Sequence, residues 1–307
     1  MEERFYSFNR YLREKFKERV HRISINAGFD CPNLDGTVSK NGCIYCNNKG
    51  FSVYADSTKT IDEQIEDSIA YYSAKFAVKK FIAYFQSFTN THASIDELKN
   101  KYDVILKFPQ IVGIFISTRP DAVNQEKIDL IARYNKDYLV WIEYGLQSTH
   151  NHILKAINRN HTYEDFLVSL EAARGHNINV GVHMILGLPG ATYQETMDDA
   201  KRLSCLDVQG IKFHILHILR DTAMEQMYNK GGIKLLSEKE YIRLICDFLE
   251  RIPKSMVILR LISTALPQYL IAPLWINNKT KVIEAIIAEL KRRETHQGFY
   301  FEKIINR

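Results

Sequence analysis

Six short apolar runs, each followed by a stretch that reads as a helix, constrain this chain more than any other feature. The runs are Val20–Ile25, Phe81–Phe85, Ile111–Ile116, Tyr138–Ile142, Val180–Leu186 and Ile211–Leu216, rich in β-branched and aromatic residues as strands should be. Among and after them, Thr60/Glu63, Ser94/Glu97, Thr162/Asp165, Thr192/Glu195 and Ser237/Glu240 have the spacing of capping boxes, which open helices. Strands alternating with helices are joined by right-handed crossovers into a parallel sheet. The expected class is α/β, either an open doubly wound sheet or an incomplete (β/α) barrel, and periodicity alone does not choose between them. In both, ligands bind at the carboxyl ends of the strands.

The loop after the first run carries three of the chain's five cysteines, Cys31, Cys43 and Cys46. A Cys-x2-Cys pair sets two thiolates on one tight turn, and Gly36 and Gly42 let the backbone fold back to bring Cys31 to the same point. Soft thiolates that converge select zinc or an iron–sulfur cluster. A closed zinc site or an ordinary four-iron cluster takes four protein ligands, and Cys205 and Cys246 are distant in sequence. Cys246 falls on the apolar face of an expected helix, as a small buried hydrophobe. A three-cysteine site therefore either recruits a non-cysteine fourth ligand, as structural zinc would, or leaves one metal position open to something that is not protein.

Ile44 and the aromatic Tyr45 between the last two cysteines resemble the C-x-aromatic-C half of the radical S-adenosylmethionine (radical SAM) signature. The first gap, eleven residues from Cys31 to Cys43, is wider than usual and is similar to the branch containing the catalytic subunit of the Elongator complex. The resemblance covers roughly residues 20–225. It implies a partial (β/α)6 TIM-like barrel, the radical SAM core, with a [4Fe-4S] cluster on Cys31, Cys43 and Cys46 in the loop after the first strand. It also implies S-adenosyl-L-methionine (SAM) on the fourth iron and an electron donor such as flavodoxin or ferredoxin. The implied chemistry is one-electron cleavage of the SAM carbon–sulfur bond and hydrogen abstraction by a 5′-deoxyadenosyl radical.

The same resemblance assigns roles to polar residues after the apolar runs. Gln86 and Ser87 stand where relatives have glycines that receive the SAM amine. Ser117-Thr118-Arg119-Pro120-Asp121 resembles a Thr-Arg-Pro-Asp segment of the Elongator branch, with Ser117 in place of a glutamate. Glu143-Tyr144-Gly145-Leu146-Gln147-Ser148 and Asn158-Arg159-Asn160-His161-Thr162 resemble two further segments, which implies polar contacts to SAM from Glu143 and Gln147 and a carboxylate contact from Arg159. A fixed guanidinium suits a carboxylate's two oxygens. Tyr45, Arg119, His183 and the Gly187-Leu-Pro-Gly190 turn complete the expected cofactor surroundings. Lys212 and Arg220 are the expected substrate-side residues. Alternation puts Lys212 and His214 on one face of the sixth strand, so at most two polar groups there should share the site.

Residues 1–22 and 279–307 each carry seven Lys/Arg against four Asp/Glu, while the chain as a whole is only +5. Basic ends around a neutral body permit a polyanion such as tRNA as partner, and solvated helix faces account for them equally well. No stretch reaches the length of an apolar membrane span and Met-Glu-Glu-Arg does not read as a signal peptide, so a soluble, cytoplasmic protein is expected. The expected organisation is an N-terminal helix within 1–19, the barrel over 20–225 and a small C-terminal α/β extension, 226–307, that closes the barrel. The functional expectation is a radical SAM enzyme that modifies tRNA at the wobble uridine. Radical chemistry on a small metabolite or protein side chain, and a zinc-binding interaction module, are the alternatives.

Overall fold

The computed structural model describes residues 3–47 and 58–301. Met1 and Glu2 of the amino-terminal unit and residues 302–307 of the basic carboxyl end lie outside the described residues. The first helix, α1, is Phe8–Phe16, shorter than the stretch 3–19 because Ser7 caps its start and Lys17 ends it in a left-handed conformation. The six expected strands are β1 (Val20–Ile25), β2 (Lys80–Phe85), β3 (Ile111–Thr118), β4 (Leu139–Gln147), β5 (Asn179–Leu186) and β6 (Gly210–Ile215). After the short β7 (Ile218–Leu219), the apolar run near the carboxyl end forms β8 (Val257–Arg260), which joins the sheet as a seventh strand. Neighbours are parallel throughout, in the order β1-β2-β3-β4-β5-β6-β8. In the loop region expected near the end, β9 (Leu270–Ala272) pairs antiparallel with β7.

The sheet is a curled half-barrel, not a flat ribbon. Lys212 on β6 hydrogen-bonds the Tyr84 hydroxyl on β2, although four strand spacings separate β2 from β6, about 19 Å in a flat sheet. Outside the curl pack α2 (Ile61–Phe76), α3 (Ile95–Tyr102), α4 (Gln125–Ala132), α6 (Tyr163–Ala173), α7 (Tyr193–Ser204), α9 (Glu238–Leu249) and α10 (Lys279–Arg292), while α5 (Asn151–Ala156) and α8 (Ala223–Asn229) form a separate cluster with Leu216, Ile218 and Ile44 of the cysteine loop. Reciprocal capping boxes form at Thr60, Thr162, Thr192 and Ser237, whereas Ser94 caps in one direction only. Ile65 of α2 is buried and Ile61 and Ile69 pack beside it, but Phe76 remains partly exposed and stacks on Tyr72 instead of joining the core. Cys246 is fully buried on α9, as its apolar neighbours predict.

Alternation sorts the strands into an outer face against the helices and an inner face inside the curl. At the amino-terminal end of the barrel the inner face is apolar: Val20, Ile82, Phe115, Leu139, Trp141, Val257 and Leu259 form one buried cluster. Phe8 and Leu12 of α1 enter this cluster, with the Phe8 ring 5.7 Å from Phe115 and Tyr11 edge-on to Trp141 at 5.6 Å. The aromatic stripe of α1 therefore stoppers the bottom of the barrel. One layer higher the inner face turns polar, with Arg22, Tyr84, Glu143, His183, Lys212 and Arg260.

Candidate functional site

The carboxyl ends of the strands and the loops after them surround one cavity. Cys31, Cys43, Tyr45 and Cys46 line it together with Gln86, Ser87, Ser117, Arg119, Gln147 and Arg159, while His183, Lys212, His214, His217 and Arg260 lie deeper on its lining. The cysteine loop is shaped by its own backbone. Leu34 and Asp35 donate to the Cys31 carbonyl at 2.8 and 3.0 Å, Gly42 N–H to the Asn33 carbonyl at 2.8 Å, and Cys46 N–H to the Cys43 carbonyl at 3.0 Å. Gly42 sits at φ 65°, and a Cβ there would lie 2.6 Å from Leu34 Cδ2, so the turn back to Cys43 needs glycine.

Cys43 is the buried thiol of the three. Asn33 Nδ2 donates to its Sγ at 3.4 Å and Arg159 Nη1 at 3.5 Å. Burial raises the Cys43 pKa, but Arg159, Arg119 and Asn33 outweigh it and hold the thiol below its ordinary value. Cys46 goes the other way, pushed up to about 12 by burial and by the charges of Cys43 and Cys31. Three thiols gathered in one loop, beside two guanidiniums that favour their anionic form, constitute a soft donor set for a cationic metal centre, which itself favours loss of their protons. Among the described residues the remaining cysteines are elsewhere, Cys205 exposed at the end of α7 and Cys246 under α9.

Arg159 is fixed from behind. Its Nη2 and Nε donate to the Gly145 carbonyl at 2.7 and 3.2 Å, and Nε also reaches His161 Nε2 at 3.0 Å. Burial, Arg159 and Arg119 push His161 down to about 3, so its neutral ring accepts that bond. β4 is irregular between Tyr144 and Gln147, and Gln147 has φ 74°. This bulge turns Gln147 toward the cavity. Arg119 is almost wholly buried, forks onto Asp121 at 2.9 and 2.7 Å, and donates to the Arg159 carbonyl at 2.9 Å. Its Nη1 and the Ser87 hydroxyl are buried with no hydrogen-bond partner among the described residues.

Below this rim Glu143 is fully buried. Its Oε2 accepts from Tyr84 Oη at 2.9 Å, His183 Nε2 at 2.6 Å and Lys212 Nζ at 2.8 Å. Burial opposes the carboxylate's charge, but Lys212, His183 and Arg22 prevail and hold its pKa well below the ordinary range. Burial, with Arg260 and Arg22, brings Lys212 down to about 7 against the pull of Glu143. Glu143 is thus a structural counter-charge beneath the cavity and is absent from its lining.

Two expected residues are also off the lining. Gly187, at φ 84° in the turn after β5, packs where a Cβ would sit 3.0 Å from Leu236. Arg220 is exposed and its Nε donates to the Gln268 carbonyl at 3.1 Å. Conversely, Lys212, His214 and His217 all line the cavity, one more than strand alternation allows, because β6 ends at Ile215 and the chain turns. Asn33, Tyr84 and Arg260 are further site residues. Arg260 had a visible signal, a lone charge inside Val-Ile-Leu-Arg-Leu-Ile; Tyr84 in its strand had none. A separate group on the outer surface, His150, His152 and Glu195, brings its nitrogen and oxygen atoms within 4.8 Å of one another, but one Glu195 oxygen is committed to the α7 cap.

Residues 37–203 match the Radical SAM superfamily and residues 208–292 the Radical_SAM C-terminal domain. The chain is 38% identical to the protein YtqA of Bacillus subtilis, over 99% of this chain and 94% of that one. It is 25% identical to the tRNA uridine(34) acetyltransferase of Methanocaldococcus infernus, but over only 47% of this chain and 27% of that one. In fold it is similar to archaeal Elp3 from Methanocaldococcus infernus, with a TM-score of 0.61 at 16% identity, covering 91% of this chain and 64% of that structure.

Proposed function

This chain belongs to the radical SAM superfamily, and on that premise we propose that it is a radical SAM enzyme whose [4Fe-4S] cluster is held by Cys31, Cys43 and Cys46 and whose substrate is a uridine of tRNA. The superfamily uses that cluster together with SAM. The observation that carries the reading is the union, in one cavity, of three thiols with a buried guanidinium nitrogen, Arg119 Nη1, that has no hydrogen-bond partner among the described residues. A donor set of three leaves one iron for a non-protein ligand, and an orphaned cationic donor beside it suits that ligand's carboxylate.

When bound, the cluster and SAM supply one-electron carbon–sulfur cleavage and hydrogen abstraction. The chain's own residues do the rest. Asn33 and Arg159 hold Cys43 and stabilise its negative charge. Arg119 Nη1 and Ser87 Oγ offer donors to the polar end of SAM, with Gln86, Ser117 and Gln147 around them and Tyr45 beside the cluster. The apolar stopper of α1, Phe115 and Trp141 keeps water out from below. His183 and Lys212, held on Glu143, face the space left for substrate.

The tRNA part rests on similarity to the tRNA uridine(34) acetyltransferase of Methanocaldococcus infernus and on the basic ends of the chain. A uridine would be unstacked to enter the cavity. A flavodoxin- or ferredoxin-type donor and a cytoplasmic setting belong to the same reading. The test is anaerobic reconstitution with iron and sulfide, then SAM and dithionite, with assay for 5′-deoxyadenosine. Wild type is expected to form it and Cys43→Ala to lose both cluster absorbance and product. One bound zinc with intact SAM would overturn the enzyme reading. For substrate, unmodified tRNA should raise product formation and bind in a steeply salt-dependent way; no RNA binding at low salt would remove tRNA and leave the enzyme.

A further inference from the structure

The layer above the barrel stopper gathers three cationic side chains around the single carboxylate of Glu143 among the described residues. Arg22, Lys212 and Arg260 project inward from β1, β6 and β8. Among the described residues the carboxylate within ion-pair reach of them is Glu143, 2.8 Å from Lys212 and 3.6 Å from Arg22. Arg260 has no such counter-charge. Its Nη2 lies 2.8 Å from His214 Nδ1, and its buried Nε has no hydrogen-bond partner among the described residues. The histidines supply no anion: burial and the neighbouring cations hold His183 at about 3 and His214 well below its ordinary value, so both rings are neutral.

Buried cations are ordinarily paired, because the unpaired charge loses its hydration. Arg260 also lines the cavity, on the seventh strand, whereas the rim guanidiniums Arg119 and Arg159 stand beside the cysteines. We propose that the depth of the cavity is an anion subsite, in which Arg260, backed by Lys212 and Arg22, takes a carboxylate or phosphate carried by the substrate. The proposal rests on the radical SAM reading for the word substrate and names its chemical class. Tyr84 shapes the subsite, its ring lying between the Arg22 guanidinium at 5.3 Å and the Lys212 ammonium at 4.4 Å. Those cation–π contacts hold both cations in place when no anion is present.

The experiment titrates the reconstituted, SAM-loaded protein with inorganic phosphate and, separately, with acetate, at constant ionic strength in chloride, and reads binding by calorimetry. One saturable anion site is expected in wild type. Arg260→Gln should weaken it by about tenfold or more, while Arg260→Lys, which keeps the charge but not the fork, should weaken it by about threefold. Preference for phosphate points to a nucleotide-type substrate and preference for acetate to a carboxylate, and either supports the subsite. Absence of saturable binding, or equal affinity in Arg260→Gln, overturns it. So does loss of SAM affinity in Arg260→Gln in place of anion affinity, because the guanidinium would then belong to the cofactor. Cluster absorbance reports folding of each variant. The readout needs no turnover, so the subsite can fail while SAM cleavage succeeds, and the reverse.

Discussion

Gly145 has no room for a methyl group. A Cβ there would stand 2.7 Å from Arg159 Nη2 and 2.8 Å from Gln147 Nε2. Gly145→Ala should therefore displace the guanidinium that holds Cys43, and SAM affinity measured by equilibrium dialysis is expected to fall about tenfold with the fold intact by circular dichroism. An unchanged affinity would mean that Arg159 does not position the site. At this scale the sequence is informative in part: the cysteines, Gln86, Ser87, Arg119, Gln147 and Arg159, marked by the resemblance, all line the cavity, whereas Glu143, Gly187 and Arg220, marked in the same way, do not. Tyr84 and Asn33 were not. A tyrosine in an apolar run and an asparagine in a loop look ordinary until the curl of the sheet brings Tyr84 to Lys212 and the loop brings Asn33 to Cys43.

Among the elements, α1 has a role that its amphipathic pattern only half reveals. The pattern announces a buried stripe; it does not say that the stripe enters the barrel. Phe8→Ala should cost about 3 kcal/mol in urea-induced unfolding, the usual range for a buried aromatic, because the stopper cluster cannot collapse around the void. Gly210→Val is the complementary test from the sheet side. A Cβ at Gly210 meets Trp141 Cζ3 at 2.6 Å, so overpacking is expected to lower stability by about 1–3 kcal/mol. The strands themselves were legible to within a few residues. The seventh strand, β8, falls within the stretch read as a C-terminal extension, because its pairing with β6 spans the length of α8 and α9, which no local pattern encodes.

For the whole molecule, buried neutral histidines set the response to acid. Burial brings His183 to about 3, Lys212 adding to it, and His217 to about 4, both below the ordinary 6.5. Between pH 6.5 and 5 the unfolded chain takes up these protons and the native one does not, so stability rises with pH through this window, by about 1.4 kcal/mol per pH unit for each such group. Thermal unfolding followed from pH 7 to pH 5 should show that slope, and His217→Asn should reduce it by about one proton; a flat profile would contradict the neutral assignment. The ends of the described chain meet beside this core. Ile258 N–H donates to the Tyr6 carbonyl at 2.8 Å, Gln297 N–H to the Arg4 carbonyl at 2.9 Å, and Tyr6 N–H to Gln297 Oε1 at 2.8 Å. During synthesis Arg4 and Tyr6 must therefore wait until Ile258 and Gln297 have left the ribosome before they find these partners. Until then the aromatic stripe of α1 has an unfinished barrel to fill, and the nascent chain is a natural client for a chaperone that shields exposed apolar surface.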